Sequence, residues 1–287
     1  MTVVRLGAVS FLNARPLTAA LADGDGCFDL IYDVPSACSA ALRQGRIDLG
    51  LIPSIEYATS PVAYCIVPDI AIGCNGEVLT VRLFFRGDPR QIRRVAVDTS
   101  SQTSVALLRI LLKERYGLSP EFRCASPDLD AMLHGSEAAL LIGDPVLPLV
   151  DEENEVRGDS LAGASERRSL DLGSEWRELT GLPFVFAFWA GREGVVDRGQ
   201  VEELIRARCR GAGMAAEISR AFQRERAGPA ELYERYLRDH ITYDLGEGEL
   251  RGLREFYRLA RVHGVIEAEP ELRFYDRPAH IVGRTQR

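Results

Sequence analysis

Two stretches of the chain repeat one design, and this repetition limits the possible folds more than any other feature. RLGAVSFLNARPLTAAL (residues 5–21) and RVAVDTSSQTSVALL (94–108) each begin with an apolar run of strand character. Each then passes through a loop of hydroxyl and amide side chains into a segment of helical periodicity. Around the first copy, 4–9, 29–34 and 47–52 read as strands, with helices over 16–21 and 35–43 between them. Around the second, 94–99, 121–125 and 138–144 read as strands. A long helix over 101–117 and a short one over 126–135, capped by Ser126 with Pro127 in its first turn, separate them. Strands separated by helices require crossover connections and therefore pair in parallel.

The two units imply an α/β fold in two lobes, a clamshell of mixed sheets flanked by helices. Apolar runs near 79–86 and 184–191 are read as two hinge strands joining the lobes. Domain I is then discontinuous, 1–86 plus 190–287, and domain II is 87–189. The ligand cleft lies between them, where the carboxyl ends of both sheets face each other. Residues 151–168 are charged and rich in Gly and Ser, which fits a surface excursion, and from Asp197 onward the pattern is helical.

Composition removes several classes of function. No apolar run approaches the ~20 residues of a membrane helix. Asn13, Arg15 and Pro16 interrupt the N-terminal apolar stretch before it forms a signal peptide, so the chain is expected in the cytoplasm. The net charge of −7 is spread among interspersed signs, which argues against nucleic acid as a partner. Lys113 is the only lysine and sits at a helix end, which removes Schiff-base chemistry and a Walker-type phosphate loop. The six cysteines lack metal or redox spacing, and the four histidines form no HExxH. His134 and His263 each precede a glycine at an apparent helix end. With no GxGxxG either, neither a cofactor nor a metal is expected.

The two polar loops carry the strongest chemical signal. Side-chain hydroxyls and amides beside free N–H groups at a helix start make an anion site. The first loop offers Ser10, Asn13 and Arg15, and the second Thr99, Ser100, Ser101, Gln102, Thr103 and Ser104. One hydroxyl would be an ordinary N-cap, but five in six residues exceed what capping uses. The ends of the third strands add Pro53, Ser54 and Glu56, and Gly143 with Asp144. Asp144 reads as a base, a hydrogen-bond acceptor or a simple cap. Thr80 and Arg82 are polar residues within an apolar run. Arg82 is open between a fork for a substrate carboxylate and a hinge-surface residue.

VSFLNARPL (9–17), DLGLIPSIEY (48–57), PDIAIGCNGEVLTV (68–81), VAVDTSSQTSVALLRILL (95–112), ALLIGD (139–144) and LTGLPFVFAFWA (179–190), in this order, resemble the chorismate dehydratases of the futalosine route to menaquinone. The resemblance implies a type-2 periplasmic-binding-protein fold without export. It also implies a cofactor-independent hydro-lyase converting chorismate, a small dicarboxylate, to 3-[(1-carboxyvinyl)oxy]benzoate. Asn13 matches the amide of the family's FLN motif and Thr80 the hydroxyl after GEVL, where members often carry Ser. Thr99–Ser104 match the hydroxyl-rich loop.

On this reading Asn13, Thr80 and Asp144 are the candidate catalytic residues. Ser10, Ser54, Thr99, Ser100, Ser101, Thr103 and Gly143 are the candidate substrate-binding residues. Asn13 would position the leaving hydroxyl or the reacting C–H. Thr80 and Ser101 would anchor carboxylates. The base is left open between Asp144, Glu56 and the substrate's own enolpyruvyl carboxylate. The competing reading is a non-catalytic cytoplasmic protein that binds or senses a small anion on the same scaffold.

Overall fold

The computed structural model of the chain describes residues 3–21, 26–98, 102–150 and 167–276. Its strands are β1 (Val4–Val9), β2 (Phe28–Asp33), β3 (Leu49–Pro53), β4 (Cys65–Ile66), β5 (Ile72–Cys74), β6 (Val81–Arg86), β7 (Arg94–Asp98), β8 (Glu121–Ala125), β9 (Ala138–Ile142), β10 (Arg167–Asp171) and β11 (Phe184–Gly191). The first sheet runs β2-β1-β3-β11-β4, with β5 also paired to β11. The second runs β10-β6-β9-β7-β8. Thr99, Ser100 and Ser101, and most of the expected surface excursion, lie outside the described residues.

Both sheets have the same plan. β1 pairs in parallel with β2 and β3, and β7 does the same with β8 and β9. Beside each parallel trio lies one antiparallel strand: β11 against β3 and β6 against β9. β6 follows the first unit in sequence yet sits within the second sheet, and β11 follows the second unit yet returns to the first. The two runs read as hinge strands are therefore sheet members, each paired on both sides. Their composition explains this, because five of six residues in β6 and most of β11 are buried. Burial of this kind belongs to interior strands, covered above and below as well as paired at both edges.

Local signals placed several elements where expected. The helix Pro35–Arg43 opens with its proline. The short helix of the second unit differs: it spans Leu129–Gly135, and Asp128 caps it by accepting from the Ala131 N–H. A carboxylate one residue after the Ser-Pro pair is the stronger acceptor at a positive helix end.

The C-terminal helices lock both sheets. Trp176, Phe184 and Phe256 meet edge-to-face, with ring centroids 5.0–6.3 Å apart, contacts worth about 0.5–1.5 kcal/mol each beyond their burial. Gly252, in the helix Glu247–Val262, lies so close to the carbonyl of Pro183 that a Cβ would come within 1.9 Å of it. Gly211, in the helix Arg198–Gly213, approaches the Pro16 carbonyl in the same way, at 1.8 Å. These contacts fix the start of β11 and the chain just after Asn13. No helix among the described residues is long and apolar enough to cross a membrane.

Candidate active site

A cavity of about 80 Å³ lies between the sheets. Phe11, Leu51, Ile72, Ile142 and Phe186 give it apolar walls, and Asn13, Thr80, Gln102, Thr103 and Ser104 face it with polar groups. None of its described lining residues has an ionisable side chain.

Asn13 lies in a single 3-10 turn, Leu12–Ala14, that runs into a four-residue helix, Arg15–Thr18. The regular helix expected over 16–21 is thus reduced to one turn, and the loop holds its shape through contacts from elsewhere. The Asp144 carboxylate accepts from the Leu12 N–H at 2.9 Å, and the Asn13 side chain lies beside the hydroxyl of Tyr236. Gly143 has φ +67, and the ring of Phe11 sits where its Cβ would be, 3.1 Å away. The positive φ calls for glycine, and the nearby ring leaves little room for a side chain.

Thr80 is fully buried, with its Oγ1 2.7 Å from the Tyr236 hydroxyl. Its carbonyl accepts from the Gly143 N–H at 2.8 Å. Leu79 just before it has φ +67, a strained conformation for a branched side chain. Its neighbours over-determine that strain. Asp171 accepts from the N–H groups of Val78 and Leu79 at 3.0 and 2.8 Å and caps the helix Leu172–Thr180 through Gly173 and Ser174. Arg82 donates to the Leu79 carbonyl at 2.9 Å, to Ser169 at 3.0 Å and to Glu77 at 2.6 Å. Arg82 is therefore neither a substrate fork nor a surface residue. It is a buried brace under the Thr80 turn.

The second loop enters the helix Gln102–Tyr116 at the cavity. Thr103 Oγ1 accepts from the Ile55 N–H at 3.2 Å, tying this helix to the first-sheet side of the site.

The candidate residues separate accordingly. Asn13, Thr80, Thr103 and Gly143 converge on the cavity. Ser54 is completely buried, donates to the Val185 carbonyl at 2.8 Å and is absent from the lining. A hydroxyl at the end of a fully buried strand satisfies itself on adjacent backbone. Ser10 is exposed and opens onto a different surface cleft, with Arg15, Tyr32 and Glu225; Arg15 pairs there with Glu225. Asp144 lies behind the lining residues. Burial raises its pKa, opposed by the Leu12 N–H and by Arg15 and Arg226. Glu56 is buried and paired with Arg43.

Tyr236 is the participant the sequence did not reveal. It starts a π-helical turn, Tyr236–His240, after the helix Ala230–Arg235, and is fully buried. Burial pushes its phenol well above the usual range, so the hydroxyl stays protonated. The only local clue is its place in ELYERYLRDH, where amphipathic spacing accounts for it as an ordinary core residue.

Two sheets of matching plan around an interlobe cavity define the class: a two-lobed binding-protein architecture. A crystal structure of an Archaeoglobus fulgidus protein superposes with a TM-score of 0.71 at 17% identity, over 92% of this chain and 98% of that one. The periplasmic aliphatic sulphonate binding protein of Escherichia coli does so with 0.67 at 13%, over 100% and 96%. Sequence narrows the class further. A family model described as menaquinone biosynthesis matches residues 4–262. The chorismate dehydratase of Thermus thermophilus is 33% identical over 257 residues, 88% of this chain and 93% of that protein. The chain belongs to this menaquinone-biosynthesis family.

Proposed function

We propose that the chain is a chorismate dehydratase, a hydro-lyase that removes water from chorismate to give 3-[(1-carboxyvinyl)oxy]benzoate in the futalosine route. The reading is supported by the similarity to the Thermus enzyme along nearly the whole chain. The observation that carries it in the structure is the cavity itself, where Asn13, Thr80, Gln102, Thr103 and Ser104 face a small apolar-walled space.

The reaction suits such a site. The proton on the ether-bearing ring carbon and the hydroxyl on the adjacent carbon leave together as water, and the ring becomes aromatic. No electrons are exchanged with a carrier, so the chemistry calls for no redox cofactor. Aromatisation drives the reaction, leaving the site to orient substrate, help one proton off and help one hydroxyl leave. Thr80 and the start of the Gln102–Tyr116 helix hold carboxylates through neutral donors, and Asn13 positions the leaving hydroxyl. The cavity's described lining offers no carboxylate or imidazole base. Asp144 is bonded to Leu12 and Glu56 is paired with Arg43. That distribution favours the substrate's own enolpyruvyl carboxylate as the base. A soluble biosynthetic intermediate as substrate accords with a cytoplasmic location.

The test is incubation of the purified protein with chorismate, without added metal or cofactor, followed by mass spectrometry. The expected product is lighter by one water and has aromatic absorbance. Unchanged chorismate would sink the dehydratase reading. If chorismate nonetheless raised the melting temperature, the protein would be a binder or sensor on the same scaffold.

A further inference from the structure

We propose that Tyr236 is a positioning residue that sets the direction in which Asn13 and Thr80 present their hydrogen bonds to the substrate. This rests on the chorismate reading for its kinetic arm only. Residues 13, 80 and 236 come from three distant parts of the chain and meet at one hydroxyl. Thr80 Oγ1 is 2.7 Å from the Tyr236 hydroxyl, the Asn13 side chain lies beside the same hydroxyl and favours its ionised form, and only Asn13 and Thr80 of the three line the cavity.

Proton counting gives the arrangement its consequence. A phenol carries one proton and a threonine hydroxyl carries one. Either oxygen can donate across the Thr80–Tyr236 contact, and the direction is shared along the chain: in the order in which Tyr236 gives its proton to Thr80 Oγ1, its own oxygen accepts from the Asn13 amide nitrogen. Thr80 is then left with a hydrogen to donate into the cavity, and Asn13 with a carbonyl oxygen directed there as an acceptor. One donor and one acceptor at fixed positions match a carboxylate oxygen and a hydroxyl on one substrate.

The surroundings keep the tyrosine in this role. It is fully buried, and the nearby Asp144 carboxylate further disfavours a phenolate. The group therefore supplies direction without adding negative charge beside an anionic ligand. It sits where the helix Ala230–Arg235 passes into the π-helical turn Tyr236–His240, a feature often found at functional sites.

A buried tyrosine also finds partners for purely structural reasons, so the test must separate the two roles. Tyr236→Phe keeps the ring and removes only the hydroxyl. The expected result is a fall in kcat on the order of tenfold to a hundredfold, since small misplacements of reacting groups cost that much, with KM much less affected and melting nearly unchanged. The double variant Tyr236→Phe/Thr80→Val should lose less than the product of the two single losses, because the tyrosine acts in part through the threonine. Wild-type kcat in Tyr236→Phe, or losses that multiply in the double variant, would overturn the proposal. A crystal structure of Tyr236→Phe provides a reading that does not depend on the substrate. Displaced Asn13 and Thr80 side chains support positioning, and unmoved ones refute it. If the wild type leaves chorismate unchanged, the proposed reaction fails and that structure alone decides the role of Tyr236.

Discussion

The two polar turns at the cavity begin as copies of one pattern and end as different devices. The first, after β1, forms a 3-10 turn and four residues of helix. It is held by contacts from outside itself: Asp144 on Leu12, Tyr236 beside Asn13, and the close backbone approach of Gly211 to Pro16. The second, after β7, launches a fifteen-residue helix whose buried face runs from Thr103 to Leu112. Surroundings hold the first, whereas Gln102, Thr103 and Ser104 of the second open a long helix. The clamped turn presents the amide, and the helix start presents hydroxyls. The contrast fits a division of labour in which the precise chemical step uses the clamped turn and anion binding uses the helix start.

The largest expected effect tests the clamped turn. Asn13→Ala should lower kcat on the order of 10²-fold, the scale that misplacing a reacting group costs, while melting stays close to wild type. Steady-state turnover of chorismate together with a melting curve measures both. Near-normal turnover would remove Asn13 from the chemistry and with it the division between the turns.

Much of this contrast was legible beforehand and part was not. The strands of both units, their parallel pairing and the helix at Pro35 follow from period and turn chemistry, which are local. The exchange of β6 and β11 between sheets was hidden, because VRLFFR and FVFAFWAG are both largely apolar runs and composition does not say which sheet supplies the neighbours. The face of Ser54 was hidden for a related reason. A hydroxyl at a buried strand end has the cavity and the Val185 carbonyl equally near in sequence terms, and only packing chose the carbonyl. Tyr236 lies more than 150 residues from Thr80, beyond any pattern argument.

The next effect tests the helix-borne turn. Thr103→Val keeps the volume but removes the oxygen that accepts from the Ile55 N–H. A buried N–H without an acceptor costs about 1–3 kcal/mol, to be read from denaturant unfolding. Thr103→Ser keeps the oxygen and should recover most of that loss. Equal stability in both would mean that the link between the lobes contributes nothing, and that the second turn is as autonomous as its helix.

Asp144 tests the clamp from the other side. Asp144→Ala strips the Leu12 N–H of its acceptor and should cost about 1–3 kcal/mol, whereas Asp144→Asn retains an acceptor and should cost less than about 1 kcal/mol. Asparagine cannot remove a proton, so the same variant also reads the chemistry. If Asp144→Asn folds normally and keeps most of its rate, the carboxylate is a clamp. A folded but inactive Asp144→Asn would make it the base and refute the substrate-carboxylate reading.

The smallest effect is a slope. Burial raises the Asp144 pKa above its ordinary 3.8, so over the window from that value upward the folded protein holds a proton that the unfolded chain has released. Stability linked to this group is then fully present below the ordinary value and declines as pH rises through the folded pKa. The sign is opposite to that of the paired carboxylate Glu137, which its Arg94 partner lowers to about 2. Unfolding free energy measured across the acid range should therefore fall less steeply with rising pH in Asp144→Asn than in wild type. Superimposable pH dependence in the two proteins would show that the Leu12 N–H and the nearby arginines fully offset burial. The clamp on the first turn would then be an ordinary ionised cap, no different in kind from the one Asp128 provides for its helix.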